Sequence, residues 1–528
     1  MQRTCHEHLP VGLVIRAADP RRGWIPCGGM PAARRRRTYV VLAVSAACWL
    51  KTAPVEPDEI AETLRPIVHQ ALKQSEAPGL AIAVLRDGKT VYRESVGVLD
   101  LASGEPVTAD TRFHLASVTK TFVATAVLQL AEQGKVDLDA HPRRYLPYFQ
   151  PADPRAERIT IRQVLAHISG LQKDDDTRFD NPDLDDGALE RLVREAVSRP
   201  LDFAPGEKFG YSNLGYCVLG DVVAKVSGET FEAYVKRHIL EPLRMKDSTL
   251  LLSEAKRGPL ARPYVVDDAY TVVPAPFYPY NRRRAPSSAM SSTLNDLERW
   301  SRVHMNRGEL EGRRILKSST YDEMWRPAGE SLQQIGLGWF LWKRGAERLV
   351  GHNGSDTGFV ADIELLPERG IGVIVLCNLD HGPYRPLMLA ALDAALGKTP
   401  EVVFKPSLAR DLYRVLAVQG AEAAVARYRE IKREPAGRYD FSEWVLNDLG
   451  YKLAGAGKVQ EAVRILRLNV EEYPASANVY DSLADICYRS GDKACALENY
   501  RKALEKNAGN KKAAEMLERL GSPSNPTP

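Results

Sequence analysis

A serine and a lysine three positions apart, Ser117 and Lys120, are the residues of this 528-residue chain best suited to covalent chemistry. Three positions are about one helical turn, so both side chains share a face of the helical pattern over 117–133, which Gly134 closes. A serine hydroxyl becomes a nucleophile when a neighbouring base takes its proton, and a lysine can serve once desolvation lowers its pKa. The pair therefore predicts acyl transfer through a serine ester.

The tyrosine motif Tyr211-Ser212-Asn213 offers a second base. It follows Pro205 and Gly206, which are typical of a loop or turn, so the Tyr211 and Asn213 side chains can both point into a cleft. A tyrosinate held near a lysine can take a proton, and the Asn213 amide can orient an acyl group. The motif fits the same acyl transfer, although a tyrosine in such a segment is more often a half-buried packing residue.

A third motif, His352-Asn353-Gly354-Ser355, opens a strand pattern far along the chain. A hydrogen-bonding residue at the histidine position can face a substrate, and Gly354 permits close backbone approach because it has no Cβ. The backbone N–H of Ser355 can complete an oxyanion hole with that of Ser117. Substrate contacts are therefore expected over His352, Asn353, Gly354 and Ser355.

In order and rough spacing, the three motifs resemble those of the class C β-lactamase-like serine hydrolases, a family of β-lactamases, DD-carboxypeptidases, D-amino-acid peptidases and esterases. The resemblance covers residues 56–395. Supporting stretches are 113–120, 165–171, 241–245 and 336–339. The resemblance implies that Ser117 is the nucleophile, that Lys120 and Tyr211 share the base role, and that Asn213 binds the acyl side.

Two departures from the family pattern affect the expected substrate. His352 stands where many relatives have lysine and Asn353 where threonine is common, so a substrate carboxylate is held less strongly. The resemblance therefore implies a serine hydrolase acting on an ester or a D-amino-acid peptide. The alternatives are a weak class C-type β-lactamase, and a non-catalytic penicillin-binding-like module whose repeats bind a protein partner. Which of Lys120 and Tyr211 takes the first proton stays open.

Other polar residues are interpreted as structural. His167 is expected to satisfy loop backbone groups, and His114 to lie in the core or behind the site. The acidic run 174–176 and the basic run 282–284 are expected on solvated loops. The histidines show no pair at metal-ligand spacing, so neither a metal nor a cofactor is predicted.

Strand patterns at both ends of the first 400 residues predict how the site is supported. The predicted strands are 79–85, 90–92, 339–342, 359–366 and 371–377. The first two flank Asp87-Gly88, a strong hairpin signal. An opening helix is expected over 56–76, and 110–330 should be mostly helical. This order predicts an α+β domain over 54–400, an antiparallel sheet with an inserted helical region.

The last part of the chain repeats itself. Residues 457–462 and 491–496 are similar at an offset of 34, the period of tetratricopeptide helix pairs. Residues 441–520 are therefore interpreted as tetratricopeptide-like repeats. Residues 401–440 are a helical linker or a degenerate repeat, and 521–528 a disordered tail. Such repeats bind a protein partner or dock onto the catalytic part, and both alternatives stay open.

The N-terminus has the layout of a targeting signal. Four arginines at 34–37 precede an apolar stretch at 39–50, which predicts a secretory signal peptide over 30–51. Residues 1–29 match no pattern and suggest an overlong start. The protein is therefore expected to be exported, periplasmic or envelope-associated in a bacterium. Membrane attachment is expected only if Cys48 is lipidated or the signal is retained.

Charge and cysteine usage narrow the class of protein. The net charge is +4, but residues 1–51 carry +7, which leaves −3 for the rest. The rest of the chain is mildly acidic, so it lacks the excess positive charge with which proteins bind nucleic acid. Four of the seven cysteines follow residue 51 and none forms a Cys-x-x-Cys pair, so neither a zinc site nor a disulfide framework is expected. Cys217 and Cys377 are expected to be small buried hydrophobes.

Overall fold

The computed structural model describes residues 56–521, apart from 175, 197, 330, 333, 403 and 435–436. The predicted signal peptide, the unplaced start and all but the first residue of the predicted disordered tail lie outside the described residues. Along the chain the elements are α1 (Pro57–Ser75), β1 (Gly79–Arg86), β2 (Lys89–Gly97), β3 (Phe113–His114), α2 (Thr119–Glu132), α3 (Ile161–Leu165), α4 (Ala188–Ala196), α5 (Asn213–Ser227), α6 (Phe231–Val235), α7 (Leu252–Ala255), β4 (Tyr264–Val266), β5 (Val272–Pro274), α8 (Ala285–Ser288), β6 (Ser291–Ser292), α9 (Leu294–Met305), β7 (Glu309–Leu310), β8 (Arg313–Arg314), α10 (Ser318–Met324), β9 (Phe340–Arg344), β10 (Glu347–Asp356), β11 (Phe359–Leu366), β12 (Ile371–Cys377), α11 (Tyr384–Ala395), α12 (Leu408–Gln419), α13 (Ala421–Lys432), α14 (Glu443–Gly455), α15 (Val459–Glu472), α16 (Ala477–Arg489), α17 (Lys493–Lys506) and α18 (Lys511–Gly521). Among these helices, none has both the length and the apolar composition needed to cross a bilayer.

Six antiparallel strands form the sheet that supports the site, in the order β2-β1-β12-β11-β10-β9. Strands from the two ends of the domain meet at its centre, where Leu80 of β1 lies opposite Cys377 of β12. The predicted hairpin around Asp87-Gly88 is confirmed as β1–β2, and β11–β12 form a second hairpin around the turn that ends at Gly370.

The sheet separates two apolar layers. On one side Ile82 and Val375 pack in a cluster with side chains of α1 and α11. On the other side Ala83 and Ile374 belong to the larger core formed with the helical region. Successive strand residues point to opposite faces, so the alternation along β1 and β12 produces both layers. This is the predicted α+β arrangement.

Helix α2 is buried on all sides, and this fixes the residues at its N-terminus. Phe122 stacks on Trp300 with ring centroids 3.9 Å apart, and the Trp300 indole N–H donates to Thr121 Oγ1 at 3.2 Å. A helix that is apolar all round belongs to the interior of a domain. The helix predicted over 117–133 is confirmed as Thr119–Glu132, with a 3₁₀ turn, Ala116–Val118, ahead of it.

The C-terminal region is all-helical. Helices α14 and α16 begin 34 residues apart, at Glu443 and Ala477, and α15 and α17 do the same, at Val459 and Lys493. The sequence repeat therefore corresponds to two packed helix pairs, and α12 with α13 forms another pair before them. Residues 401–440, interpreted as a helical linker or a degenerate repeat, thus contain the helix pair α12–α13.

One expectation about cysteines is wrong. Cys487 of α16 and Cys495 of α17 form a disulfide, although no disulfide was expected from the Cys-x-x-Cys criterion. The two positions are eight apart along the chain, and the tight turn between paired helices brings them together. Cys217 and Cys377 are free and buried, as predicted.

Candidate active site

Ser117 and Lys120 lie together where the 3₁₀ turn joins α2. The Lys120 amine is 3.0 Å from Ser117 Oγ and also donates to the Ser287 carbonyl at 2.7 Å. Ala116, just before the serine, has φ of +45°, a left-handed conformation that is uncommon for a residue with a Cβ. Such backbone strain concentrates at functional sites. The structure thus brings the predicted nucleophile and base into hydrogen-bonding distance.

Burial lowers the pKa of Lys120 into the range that suits proton transfer at neutral pH. Its side chain has no exposed surface, and this desolvation lowers the pKa of the amine to about 7. The charge of Arg284 lowers the pKa further, whereas Asp356 opposes the shift. A lysine with a pKa near 7 has a substantial neutral fraction at neutral pH, so it can accept a proton from Ser117.

Tyr211 lies against the same amine. Lys120 Nζ is 4.9 Å from the centroid of the Tyr211 ring, and the other face of the pocket is formed by Phe340, whose ring is parallel to Tyr211 at 6.4 Å. The ring of His167 stacks on Tyr211 at 4.3 Å. The structure therefore places Tyr211 beside the serine–lysine pair, as the sequence predicts.

His167 shapes the loop that carries the tyrosine motif. Its Nδ1 accepts the Ser212 N–H at 3.0 Å, and its carbonyl accepts the Gly210 N–H at 2.8 Å. Because Nδ1 is an acceptor, the ring proton sits on Nε2, and burial lowers the pKa of this histidine well below its ordinary value. The predicted structural role is confirmed. Asn213 then begins α5, which Ser212 caps by accepting the Gly215 N–H at 2.9 Å.

His352 faces the same region from β10, with its ring 6.4 Å from that of Tyr211. Nδ1 lies 2.7 Å from the Asn353 carbonyl, which can only accept, so Nδ1 carries the proton and Nε2 presents a lone pair. Burial, reinforced by the charge of Lys120, lowers the pKa of His352 to about 3. This histidine is therefore a neutral acceptor at the position where relatives are expected to have a cationic lysine.

Gly354 allows β10 to approach the nucleophile. A Cβ at this position would lie 2.2 Å from the Leu115 carbonyl oxygen and 2.8 Å from the Ser117 nitrogen. Only a glycine fits at such distances, so the strand backbone runs directly beside the Ser117 N–H. Ser355, the next residue, is exposed. The oxyanion hole formed by the Ser117 and Ser355 N–H groups stays a prediction.

The end of β10 has an open edge. Strand β9 pairs with β10 only as far as Gly351, so the segment from His352 to Asp356 has a strand neighbour on one side alone. Asn353 lies opposite Asp362 on β11, whereas His352 lies opposite Ile363 of the main core. Since facing residues share a face of the sheet, Asn353 projects to the opposite face from His352. The Asn353 carbonyl contacts His352, and the predicted contact of Asn353 with a substrate stays a prediction.

A buried ion pair supports the pocket, and the sequence did not reveal it. Arg284 is 2% exposed and lies 2.8 Å from a carboxylate oxygen of Asp174, itself 8% exposed. Arg283 is buried too and pairs with Asp183 at 3.1 Å. The expectation that 174–176 and 282–284 lie on solvated loops is therefore wrong for these residues. Their partners are about 100 residues away along the chain, so no local pattern signals the pairing.

His114 is a second supporting residue. It is fully buried, and its Nε2 lies 2.9 Å from Asp356 Oδ2 at the end of β10. Its ring also contacts Tyr278 edge-on at 6.0 Å. His114 therefore lies behind the site, as expected, and ties the strand that carries His352 to the segment before α8.

Comparison with known proteins agrees with this geometry. A profile of the beta-lactamase family matches residues 64–397. The protein flp of Staphylococcus aureus strain MW2 is 29% identical over 332 residues, 62% of this chain and 65% of the relative. Esterase EstB of Burkholderia gladioli is 38% identical over 217 residues, 39% of this chain and 55% of the esterase. The solved structure of an octameric penicillin-binding protein homologue from Pyrococcus abyssi matches with a TM-score of 0.58 at 28% identity, covering 68% of this chain and 81% of that one.

The matches have a clear extent. The chain spans about 65% of the length of the curated relatives it matches. The family profile ends at residue 397, before the helix pairs that begin with α12. The α+β domain is therefore the part shared with these proteins.

Proposed function

Because the chain belongs to the beta-lactamase family, we propose that it is a serine hydrolase that cleaves uncharged carboxylic esters through an acyl-enzyme on Ser117. The observation that carries this proposal is the state of His352, a buried, neutral imidazole with a lone pair on Nε2. A lone pair repels a carboxylate, whereas the cation expected at this position in relatives attracts one. An uncharged ester avoids this repulsion.

The proposed acylation uses the hydrogen-bonded pair of Ser117 and Lys120. Ser117 Oγ attacks the ester carbonyl carbon while its proton passes to the neutral amine of Lys120, 3.0 Å away. The negative charge that develops on the carbonyl oxygen is held by the N–H groups of Ser117 and Ser355. The tetrahedral intermediate then expels the alkoxide, which takes a proton from the Lys120 ammonium or through the Tyr211 hydroxyl. The products are the alcohol and the Ser117 acyl ester.

Deacylation uses the same groups in reverse. The neutral amine of Lys120, alone or through Tyr211, takes a proton from a water molecule that attacks the acyl carbonyl. The second tetrahedral intermediate breaks the bond to Ser117 Oγ, and the serine recovers its proton. The carboxylic acid leaves and the enzyme returns to its starting state.

The charge balance of the pocket supports an ester rather than a β-lactam or a D-peptide with a free carboxylate. Lys120 is only partly charged near pH 7, His352 and His167 are neutral, and the charge of Arg284 is paired with Asp174. None of these four basic residues offers a full, unpaired positive charge to a substrate carboxylate. Asn213, at the start of α5, is the candidate contact for the acyl side.

A matched pair of substrates tests the proposal. Methyl butyrate and monomethyl succinate, followed by titration of the acid released, have the same acyl length and leaving group, and only the second carries a carboxylate. We expect kcat/KM to be about tenfold or more higher for the butyrate, a difference of about 1.4 kcal/mol. His352→Lys should reduce this preference, and Ser117→Ala should abolish turnover of both. Equal use of the two esters by the parent, or turnover that survives Ser117→Ala, would refute it.

We also propose that the protein works outside the cytosol, as the signal-like N-terminus suggests. The Cys487–Cys495 disulfide supports this, since such bonds persist in oxidising compartments. Protein recovered from the periplasm should have two fewer titratable thiols than the same protein kept in a reducing cytosol. Equal thiol counts would contradict the proposal.

A further inference from the structure

The β4–β5 hairpin of the α+β domain is anchored in the C-terminal helices α12–α18, which are called the helical tail below. Tyr270, at its tip, is 6% exposed and belongs to the apolar cluster of the tail, together with Leu412 of α12. Its hydroxyl donates to Asp448 Oδ2 of α14 at 2.8 Å, and the Lys452 amine lies 4.2 Å from its ring centroid. The tip of a catalytic-domain hairpin thus fills a groove between two tail helices.

A buried arginine also stabilises the contact between the hairpin and the helical tail. Arg410 of α12 donates through Nε to the Tyr270 carbonyl at 3.1 Å, and its Nη1 lies 3.0 Å from Glu76 Oε1. Glu76 follows α1 immediately, at the entrance to β1. One tail residue therefore holds both the hairpin and a corner of the central sheet, so the tail is docked by specific polar contacts as well as apolar ones.

The hairpin continues directly into residues 275–281, which pack on elements next to the candidate active site. After β5 the chain reaches Tyr278, whose ring packs on Phe359 at 5.6 Å and on His114, and Phe277, whose ring lies 6.2 Å from Phe179 on the facing loop. Further along, the Ser287 carbonyl holds the Lys120 amine. Residues 275–281, called the wall below, therefore pack against β3 and β11 next to the site and are continuous with the hairpin that the tail holds.

We propose that this wall lines the acyl pocket and that the helical tail sets the acyl-chain selectivity of the hydrolase by holding it, with Tyr270 as the positioning residue. The proposal rests on the proposed esterase function. Losing the anchor should loosen residues 275–281, whereas Ser117 and Lys120 keep their places because α2 is buried on all sides in the main core. Long acyl chains would contact the wall, so the loss of the anchor should weaken their binding more than it slows the chemical step.

The chain offers a matched control. Tyr480 in α16 is 8% exposed, donates its hydroxyl to the Pro474 carbonyl at 3.3 Å and has a lysine over its ring, but it packs inside the tail. Tyr480→Ala removes as much buried aromatic surface as Tyr270→Ala without touching the hairpin. Tyr270→Phe keeps the ring and removes only the 2.8 Å hydrogen bond to Asp448.

The test is the split between KM and kcat for p-nitrophenyl acetate and p-nitrophenyl octanoate in the full-length variants. Tyr270→Ala should raise KM for the octanoate at least fivefold and change kcat for the acetate less than twofold. It should leave the pH dependence of kcat/KM unchanged. Tyr270→Phe should restore most of the parent KM, and Tyr480→Ala should resemble the parent. An unchanged KM ratio in Tyr270→Ala, or an equal shift in Tyr480→Ala, would overturn the proposal.

A second readout separates this proposal from the esterase function. If the parent turns over neither ester, the proposed function fails, and hydrogen exchange of 275–281 still measures the anchor. Exchange there should be faster in Tyr270→Ala than in Tyr480→Ala, with no difference across α2. Equal exchange of 275–281 in the two variants would show that the tail does not hold the wall.

Discussion

The pH dependence of acylation should report the protonation of Lys120. Burial lowers the pKa of this amine from its ordinary 10.5 to about 7, so roughly 1% is neutral at pH 5, half at pH 7 and nearly all at pH 9. Only the neutral amine can take the Ser117 proton. For a neutral ester, kcat/KM should therefore fall about tenfold per pH unit below 7 and level off above about pH 8.

A charge change near Lys120 should move that inflection in a known direction. The negative charge of Asp356 favours the protonated amine and so raises its pKa. Asp356→Asn keeps the shape of the side chain and removes the charge, so the pKa of Lys120 should fall and the inflection should move to lower pH, by up to about one unit. Asp58→Asn, an exposed position on α1, is the matched control and should leave the inflection unchanged.

The assay is the rate of Ser117 labelling by a fluorophosphonate probe from pH 5 to pH 9 at constant ionic strength, alongside kcat/KM for p-nitrophenyl butyrate. Labelling reports only the attack of Ser117 on the probe, so a slow later step such as deacylation cannot hide the inflection. A parent profile that still rises tenfold per pH unit up to pH 9 would refute the idea that burial lowers the pKa of the lysine. An inflection that shifts equally in Asp356→Asn and Asp58→Asn would refute the role of the local charge.

Three substitutions test the supporting structure. Gly354→Ala places a Cβ 2.8 Å from the Ser117 nitrogen, so probe labelling should slow about a hundredfold or more, whereas Gly329→Ala, with only ordinary contacts, should label like the parent. Arg284→Gln removes one of the two arginine partners of the buried Asp174 carboxylate, the other being Arg199, and should cost about 2–3 kcal/mol in urea unfolding. The exposed Arg178→Gln should cost less than about 1 kcal/mol, and equal losses would contradict the role of burial. Cys487→Ser should lower tail stability by roughly 2 kcal/mol in thermal unfolding, and a reductant should have the same effect on the parent; a parent that is indifferent to reductant would contradict this.

The strands and the catalytic pair were predictable because their signals are local. Turn residues such as Asp87-Gly88 bound apolar runs of strand length, and β11 and β12 appear with the predicted limits. Ser117 and Lys120 meet because three positions make about one helical turn. That Tyr211 and His352 join them did not follow from spacing, and the family resemblance was needed to connect motifs about 90 and 235 residues apart from the serine.

The remaining features depend on tertiary contacts between segments distant in sequence. The Arg284–Asp174 pair and the docking of Tyr270 on the tail each join such segments, so neither changes any local pattern. The tautomer of His352 depends on the orientation of one carbonyl, that of Asn353. Sequence predicted which residue replaces the family lysine but not that burial makes it a neutral acceptor, and the ester proposal depends on that state.

Covalent trapping tests the central claim most directly. The full-length protein is incubated with p-nitrophenyl butyrate, quenched in acid within the first turnovers, and examined by intact mass and by peptide mapping. The account predicts a single butyryl adduct on the peptide that contains Ser117, absent from Ser117→Ala and strongly reduced in Lys120→Met. An adduct on another residue, or turnover by the parent with Ser117 never acylated, would contradict it.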